Sequence, residues 1–251
     1  MTKLSLIVLS TLVIACLLAG CSWKNNFAQN DEHQTHSPAV RGKQENRTQS
    51  GSVIAVVSHP EGIPVLVNKH NKLPDSYTPS DLVDPSIPFI FKEKTEKRKL
   101  RAKAAAAIER LFSGAQQDGV SLLGVSAYRS HADQTALFDH YVRVDGEKVA
   151  KTYSAVPGTS EHETGLAIDV TGSDGKCAAE DCFEGTPEAK WLQAHAEEYG
   201  FIIRYPKGKD AITGYQYEPW HLRYVGRTIA KAIASRSITL EEYLQTTPVN
   251  N

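Results

Sequence analysis

The chain lacks several features that would each point to a function. It has no basic excess: 28 Lys and Arg stand against 29 Asp and Glu, a formal net charge of -1, so the electrostatic footprint of a nucleic-acid binder is absent. It has no apolar run of the roughly 20 residues that a membrane span needs; Leu4 to Leu18 falls short of it. It shows no internal repeat and no second folded domain in 251 residues, a length that suits one domain with appendages. Its four cysteines fall at 16, 21, 177 and 182, and their places say more than their number. The rest is 41% hydrophobic and 23% charged, the balance of a soluble globular protein.

The first residues read as a targeting segment. Lys3 supplies a positive start, Leu4 to Leu18 is apolar apart from Ser and Thr, and the run closes on Leu18-Ala19-Gly20-Cys21. This ending resembles a bacterial lipobox. The resemblance implies a signal peptide over residues 1–20 and a diacylglyceryl group on Cys21, and two acyl chains suffice for stable anchoring at about 0.8 kcal/mol per buried CH2. The alternative is an uncleaved anchor helix. Either reading puts the remainder outside the cytoplasm, on the outer face of a bacterial membrane. Residues 21–52 carry few apolar side chains and read as a lipidated N-terminus followed by a flexible tether. In an oxidising compartment Cys177 and Cys182 can close a small disulfide loop; a pair of metal thiolates is the other reading.

The folded domain is expected over residues 53–246, with a tail at 247–251. Val53 to Val57 and Ile63 to Val67 are β-prone, and Glu93 to Ser113 is helix-like, with Leu100, Ile108, Leu111 and Phe112 on an inner face. Val120 to Tyr128 reads as a strand with Arg129 just past its end, and His131 to Val142 as a helix. In Gly165 to Val170, alternation puts Leu166, Ile168 and Val170 on one face of a strand and Ala167 and Asp169 on the other. Thr186-Pro187 opens a helix that runs to Tyr199 and stops at Gly200. Phe201 to Tyr205 and Gly214 to Tyr224 follow as strands, the second broken by Pro219, and then helices over Gly226 to Ser235 and Thr239 to Gln245. The pattern predicts an α+β domain: a small, mainly antiparallel sheet with helices packed on it.

Two clusters carry chemistry: Ser160-Glu-His162-Glu-Thr-Gly165-Leu-Ala167-Ile-Asp169 and Glu218-Pro-Trp220-His221. They supply two imidazoles and a carboxylate as ligands, with one further carboxylate near the second imidazole. That is the makeup of a catalytic zinc site, three protein ligands and one position left for water. Such a metal acidifies water and polarises a carbonyl, and a nearby glutamate can move the proton. His162, Asp169 and His221 are the expected ligands. Glu218 lies three residues before His221, which on a regular strand would face the other way, so Pro219 is expected to kink or bulge the strand. Glu161 and Glu163 are expected to face solvent. His131, His140 and His195 are read as structural.

These motifs, in this order, resemble the VanY-type D-alanyl-D-alanine carboxypeptidases. That family belongs to the zinc peptidase group that also holds the lysostaphin-type enzymes and the hedgehog signalling domain. Further matching stretches are Leu66 to Pro74, Ser126-Ala-Tyr-Arg129-Ser, Gln134 with Leu137-Phe138, Tyr153 to Gly158, and Tyr199 to Pro206. The resemblance spans Ile63 to Gly226. It implies one zinc ion in a cleft on the sheet, held by His162, Asp169 and His221, with Glu218 as general base and acid. It implies Arg129 on the substrate's carboxyl end or the oxyanion, a role suited to a rigid guanidinium fork. Ser160 and Gln134 would bond the substrate backbone, and Tyr153, Tyr205 and Trp220 would shape the pocket. Simpler readings stay open beside these: Arg129 in an ion pair, Ser160 as a turn residue, Gln134 facing solvent, and Trp220 as core or pocket wall. The implied substrate is the peptidoglycan stem peptide, cut at its D-Ala–D-Ala bond. An L,D-carboxypeptidase acting on tetrapeptides is the close alternative, and a non-catalytic wall-binding module is the alternative of another class. No nucleic acid and no required protein partner are indicated.

Overall fold

The computed structural model describes residues 54–246, 248 and 249. The signal segment, Cys16, Cys21 and the tether lie outside the described residues. The elements are β1 (Ala55–Val56), β2 (Asn71–Lys72), β3 (Leu82–Val83), β4 (Leu100–Arg101), α1 (Ala102–Gln117), β5 (Leu122–Ser126), α2 (His131–Asp145) and α3 (Glu147–Tyr153). They continue with β6 (Ala167–Gly172), α4 (Pro187–His195), β7 (Phe201–Ile203), α5 (Asp210–Thr213), β8 (His221–Tyr224), α6 (Arg227–Arg236) and α7 (Leu240–Tyr243).

The central sheet has four antiparallel strands in the order β5-β6-β8-β7, so the expected α+β architecture holds. Two-residue pairings, β1 with β2 and β3 with β4, lie outside it. All six residues of β6 are buried, as a central strand requires. Side chains alternate across the sheet. Ile168 pairs with Leu222 and Leu222 with Ile203, and these face the main core with Leu166 and Val170. There they meet Ile108 and Leu111 of α1 and Leu192 of α4. Asp169 pairs with His221, and Arg223 with Ile202, on the opposite face. A smaller apolar cluster there holds Ile202, Ala230, Ile233 and Leu240. The sheet thus separates an apolar side from a side where charge can gather.

Several elements differ from the sequence expectation. The helix predicted from Glu93 begins only at Ala102. The charged stretch before it has no apolar face, and its backbone is spent elsewhere: the carbonyls of Lys97 and Lys99 accept from Ala127 and Tyr128 at 2.7 and 2.9 Å. Residues 63–67 form no strand; the carbonyls of Ile63 and Val65 accept from the Arg223 guanidinium instead, at 2.9 and 2.7 Å. The strand over residues 214–224 shrinks to β8. A turn precedes it, closed by His221 N–H donating to the Glu218 carbonyl at 3.2 Å. Pro219 therefore sits before the strand and does not kink it. In the predicted tail, Val249 is buried and packs near Gly214. Two helix ends match their signals. Gly200 takes the left-handed conformation (φ +90°) that stops the helical run, and Thr239 with Glu242 forms a full capping box.

Candidate metal centre

The site is assembled by one strand pair and one tight turn. The register that sets Asp169 opposite His221 puts both side chains on the same face as immediate neighbours. His162 comes from a short 3-10 turn, Glu161–Thr164, which ends at Gly165 in the left-handed region (φ +66°). A Cβ there would stand 2.8 Å from Leu82 Cδ2 and 3.0 Å from Arg101 Cγ, so the turn needs glycine for both its backbone and its space. The result is a set of three buried side chains whose ligand atoms all lie within 4.8 Å of one another.

The outer ring nitrogens decide which atoms face the centre. His162 Nδ1 lies 2.7 Å from the Ala127 carbonyl and can only donate to it, which leaves Nε2 toward Asp169 Oδ2 at 3.4 Å. His221 is turned the other way, with Nδ1 2.8 Å from Asp169 Oδ1 and Nε2 toward Glu161 Oε2 at 3.6 Å. Tyr205 stacks on the His221 ring at 5.1 Å between centroids and holds its plane. Two imidazoles and a carboxylate, buried and convergent on one side and backed on the other, fit a mononuclear zinc site.

The electrostatics point the same way. Burial works against ionisation of Asp169, but the two imidazoles outweigh it and hold the carboxyl well below the usual carboxylate range. Burial pushes His162 down. For His221 burial is outweighed by hydrogen bonding to Asp169 and Glu161, and the imidazole rises to about 10. Glu218 is pushed up to about 7, first by burial and then by the negative Asp169 and Glu161, with His221 opposing. A carboxyl poised near neutrality suits a group that takes and returns a proton.

The donor set opens onto a cavity of about 330 Å³. Its lining includes the ligands, Glu218, Arg129, Ser160, Tyr153, Tyr205, Trp220 and, unforeseen, Tyr215. Arg129 enters from the end of β5; its Nη1 donates to Gln134 Oε1 at 2.9 Å and its Nη2 to Ser126 Oγ at 3.4 Å. Gln134 does not face solvent. It is buried, its amide donates to the Ala155 carbonyl at 2.7 Å, and it is not among the residues lining the cavity. Both its polar ends are occupied, one of them by Arg129. Trp220 belongs to the main core as well as to the cavity wall. Tyr153 stands at the rim, its hydroxyl donating to Asp145. Cys177 and Cys182 are joined by a disulfide, and the loop they close contributes Ala179 and Asp181 to the wall.

Glu161 and Glu163 also differ from expectation: both are buried. Glu163 accepts from Gly158 N–H at 2.8 Å and faces His131 Nδ1 at 2.9 Å. Glu161 sits between two fully buried arginines, accepting on Oε1 from Arg204 Nε at 2.7 Å and from Arg223 Nη1 at 2.6 Å. Burial raises its pKa, but the two guanidinium groups outweigh that and keep it ionised. Arg204 continues to Glu241 of α7 at 2.9 and 2.6 Å, and Asn68 donates to the same carboxylate at 3.2 Å. Sequence reasoning missed this network. Its one available signal was a charged residue inside each apolar strand, Arg204 beside Ile203 and Arg223 beside Leu222, which demands a buried partner.

A two-His, one-Asp donor set on an antiparallel sheet, open to a cleft with a glutamate in its wall, defines the zinc peptidase class. The profile of the family VanY, D-alanyl-D-alanine carboxypeptidase, matches residues 97–227. The chain belongs to that family and is an enzyme of the carboxypeptidase class. It is 42% identical over 93% of its length, and 93% of the relative's, to YodJ of Bacillus subtilis (strain 168), a protein named provisionally as a carboxypeptidase. A D-alanyl-D-alanine carboxypeptidase of Enterococcus faecalis (strain ATCC 700802 / V583) is 33% identical over 72% of this chain and 65% of its own. Among solved structures, the LdcB LD-carboxypeptidase aligns with a TM-score of 0.74 and 47% identity, over 77% of this chain and 91% of that one. A VanY D,D-pentapeptidase from a VanB-type resistance cassette, solved with Zn(II), aligns with a TM-score of 0.59 and 32% identity, over 72% and 98%.

Proposed function

We propose that this chain is a zinc-dependent carboxypeptidase that releases the terminal D-alanine of peptidoglycan stem peptides. The observation that carries the reading is the placement of Arg129, the His162–Asp169–His221 set and Glu218 around one cavity. An exopeptidase must locate the end of its substrate. A guanidinium held by Gln134 and Ser126 offers a fixed fork for a terminal carboxylate, and anchoring that group sets the last peptide bond at a constant distance inward. His162, Asp169 and His221 would hold the zinc, which when bound acidifies water and polarises the scissile carbonyl. Glu218 accepts the proton of the attacking water and delivers it to the departing D-alanine amine. Ser160, buried at the cavity wall, and Tyr205 confine the substrate backbone beside the ligands.

Two bonds fit this machinery. The D-Ala–D-Ala bond, found at the end of a pentapeptide stem, matches the names of the family and of the enterococcal relative, D-alanyl-D-alanine carboxypeptidase. The L,D bond, found at the end of a tetrapeptide stem, matches the name of LdcB, an LD-carboxypeptidase, and the greater likeness to that structure favours it. Purified protein incubated with pentapeptide and tetrapeptide stems, followed by mass spectrometry, tests both. Loss of one D-alanine from either stem supports the function and identifies the bond; loss from neither sinks it. The anchoring at Cys21 belongs to the same proposal, since it would hold residues 53–246 at the outer membrane face, beside the wall. Cys21→Ser is expected to move the protein from the membrane fraction to the medium.

A further inference from the structure

We propose that Glu161 is a positioning residue for His221. The inference rests on the metal reading above and concerns how one ligand is oriented. Glu161 Oε1 is fully occupied, accepting from Arg204 and Arg223. Its second oxygen, Oε2, points at His221 Nε2 from 3.6 Å, and both atoms are buried with no other hydrogen-bond partner among the described residues. Two buried polar atoms left open toward each other are a built pair. The carboxylate is an acceptor only, so it requires a proton on Nε2. That choice leaves the Nδ1 lone pair, the atom facing Asp169, free to bind a cation. Arg204 and Arg223 act one step further back: they fix the carboxylate that fixes the ring. The side chains of Glu161, Arg204 and Arg223 have no solvent exposure, so water cannot substitute for the missing acceptor.

Glu161→Gln tests this with little change of shape. The amide oxygen must stay toward the two guanidinium groups, because an NH2 group cannot accept from them. The amide NH2 then faces His221 Nε2 and donates to it, which drives the imidazole proton onto Nδ1, the wrong nitrogen for binding. Zinc affinity, measured by competition with a chromogenic chelator, is expected to fall roughly 10- to 100-fold, the usual cost of losing such an outer partner. The control is Glu241→Gln, which perturbs the same Arg204 network without facing His221. It is expected to lower the melting temperature and leave zinc affinity within about twofold. A purely structural role for Glu161 predicts that both variants lose zinc in step with stability, and that result overturns the proposal. Unchanged affinity in Glu161→Gln overturns it too.

Should Glu161→Gln fail to fold, the zinc-loaded wild-type protein decides. Long-range 1H–15N correlation of the imidazoles is expected to show the His221 proton on Nε2, slow to exchange and close to the Glu161 side chain. A proton absent there, or exchanging at the rate of an exposed imidazole, overturns the assignment. Failure of the wild-type protein to take up zinc would instead remove the metal reading on which this one rests.

Discussion

Two clusters of buried charge lie back to back, joined at the adjacent residues Glu161 and His162, and they follow opposite rules. The rear cluster is closed apart from Glu161 Oε2, which faces His221. Arg204 and Arg223 meet Glu161 and Glu241, two cations against two anions, with contacts of 2.6 to 2.9 Å, and the remaining Arg223 donors go to the carbonyls of Ile63, Val65 and Tyr224. The front cluster is open. Asp169 and Glu218 bring negative charge, the two imidazoles each turn one ring nitrogen toward Asp169, and the three ligand atoms converge within 4.8 Å of one another. Most of the charged side chains in both are buried, completely so at the rear and less so at the front, where Glu218 is half-buried, so burial alone is not what makes a site. The distinction lies in whether the charges satisfy each other. A balanced cluster is scaffold, and a cluster short of a cation is where one is expected to bind.

The sharpest way to break the comparison is to change one carboxylate in each cluster and read two quantities. In the front cluster, Glu218→Gln is expected to lower kcat by about 10²- to 10⁴-fold, the range for losing a general acid-base group, while zinc content and melting temperature stay at wild-type values. Stem-peptide turnover with metal analysis measures both, and loss of zinc in this variant would show Glu218 to be a ligand instead. In the rear cluster, Arg204→Met leaves Glu241 without its cation and Glu161 with Arg223 alone, and is expected to cost about 3–5 kcal/mol in urea unfolding. A loss below about 1 kcal/mol would mean that the network is far less committed than its geometry indicates.

Smaller effects refine the picture. Removing zinc with a chelator is expected to abolish turnover and lower the melting temperature, and added zinc should restore both, because an ion that binds only the native state stabilises it. Retained activity after full metal removal would contradict the open-cluster reading. Arg129→Lys keeps the charge but loses the fork, and KM for a stem peptide should rise about tenfold or more with a smaller change in kcat. Beside the rear cluster but outside its ion pairs, Thr239→Ala removes only the capping hydroxyl of α7 and is expected to cost about 1 kcal/mol. Because α7 also carries Glu241, this variant asks whether loosening the helix end reaches the rear cluster; unchanged zinc affinity is the expected answer.

The front cluster was largely legible before any coordinates. His162, Asp169 and His221 announce themselves by residue type and by their place next to a short strand, and Gly165 marks the turn between the first two. The capping pairs at Thr186 and Thr239 were equally local. Glu161 and Glu163 were misread because a glutamate in a short turn gives no local sign of burial; their partners sit at residues 204, 223 and 131. The burial of Gln134 was hidden for the same reason, its two contacts being Arg129 and the Ala155 carbonyl. The helix start at Ala102 escaped too, since backbone donors from residues 127 and 128 claim the preceding carbonyls.

The amino-acid order alone determined which side chains could act as ligands, base and anchor, because donor chemistry and short-range spacing are properties of neighbouring residues. Only the tertiary structure decided which carboxylates face the centre and which are locked behind it, which nitrogen of each imidazole is free, and that Glu218 reaches the cavity through a turn and not a kinked strand. Those outcomes depend on strand register and on partners dozens of residues away, whose approach is set by packing the whole sheet against its core.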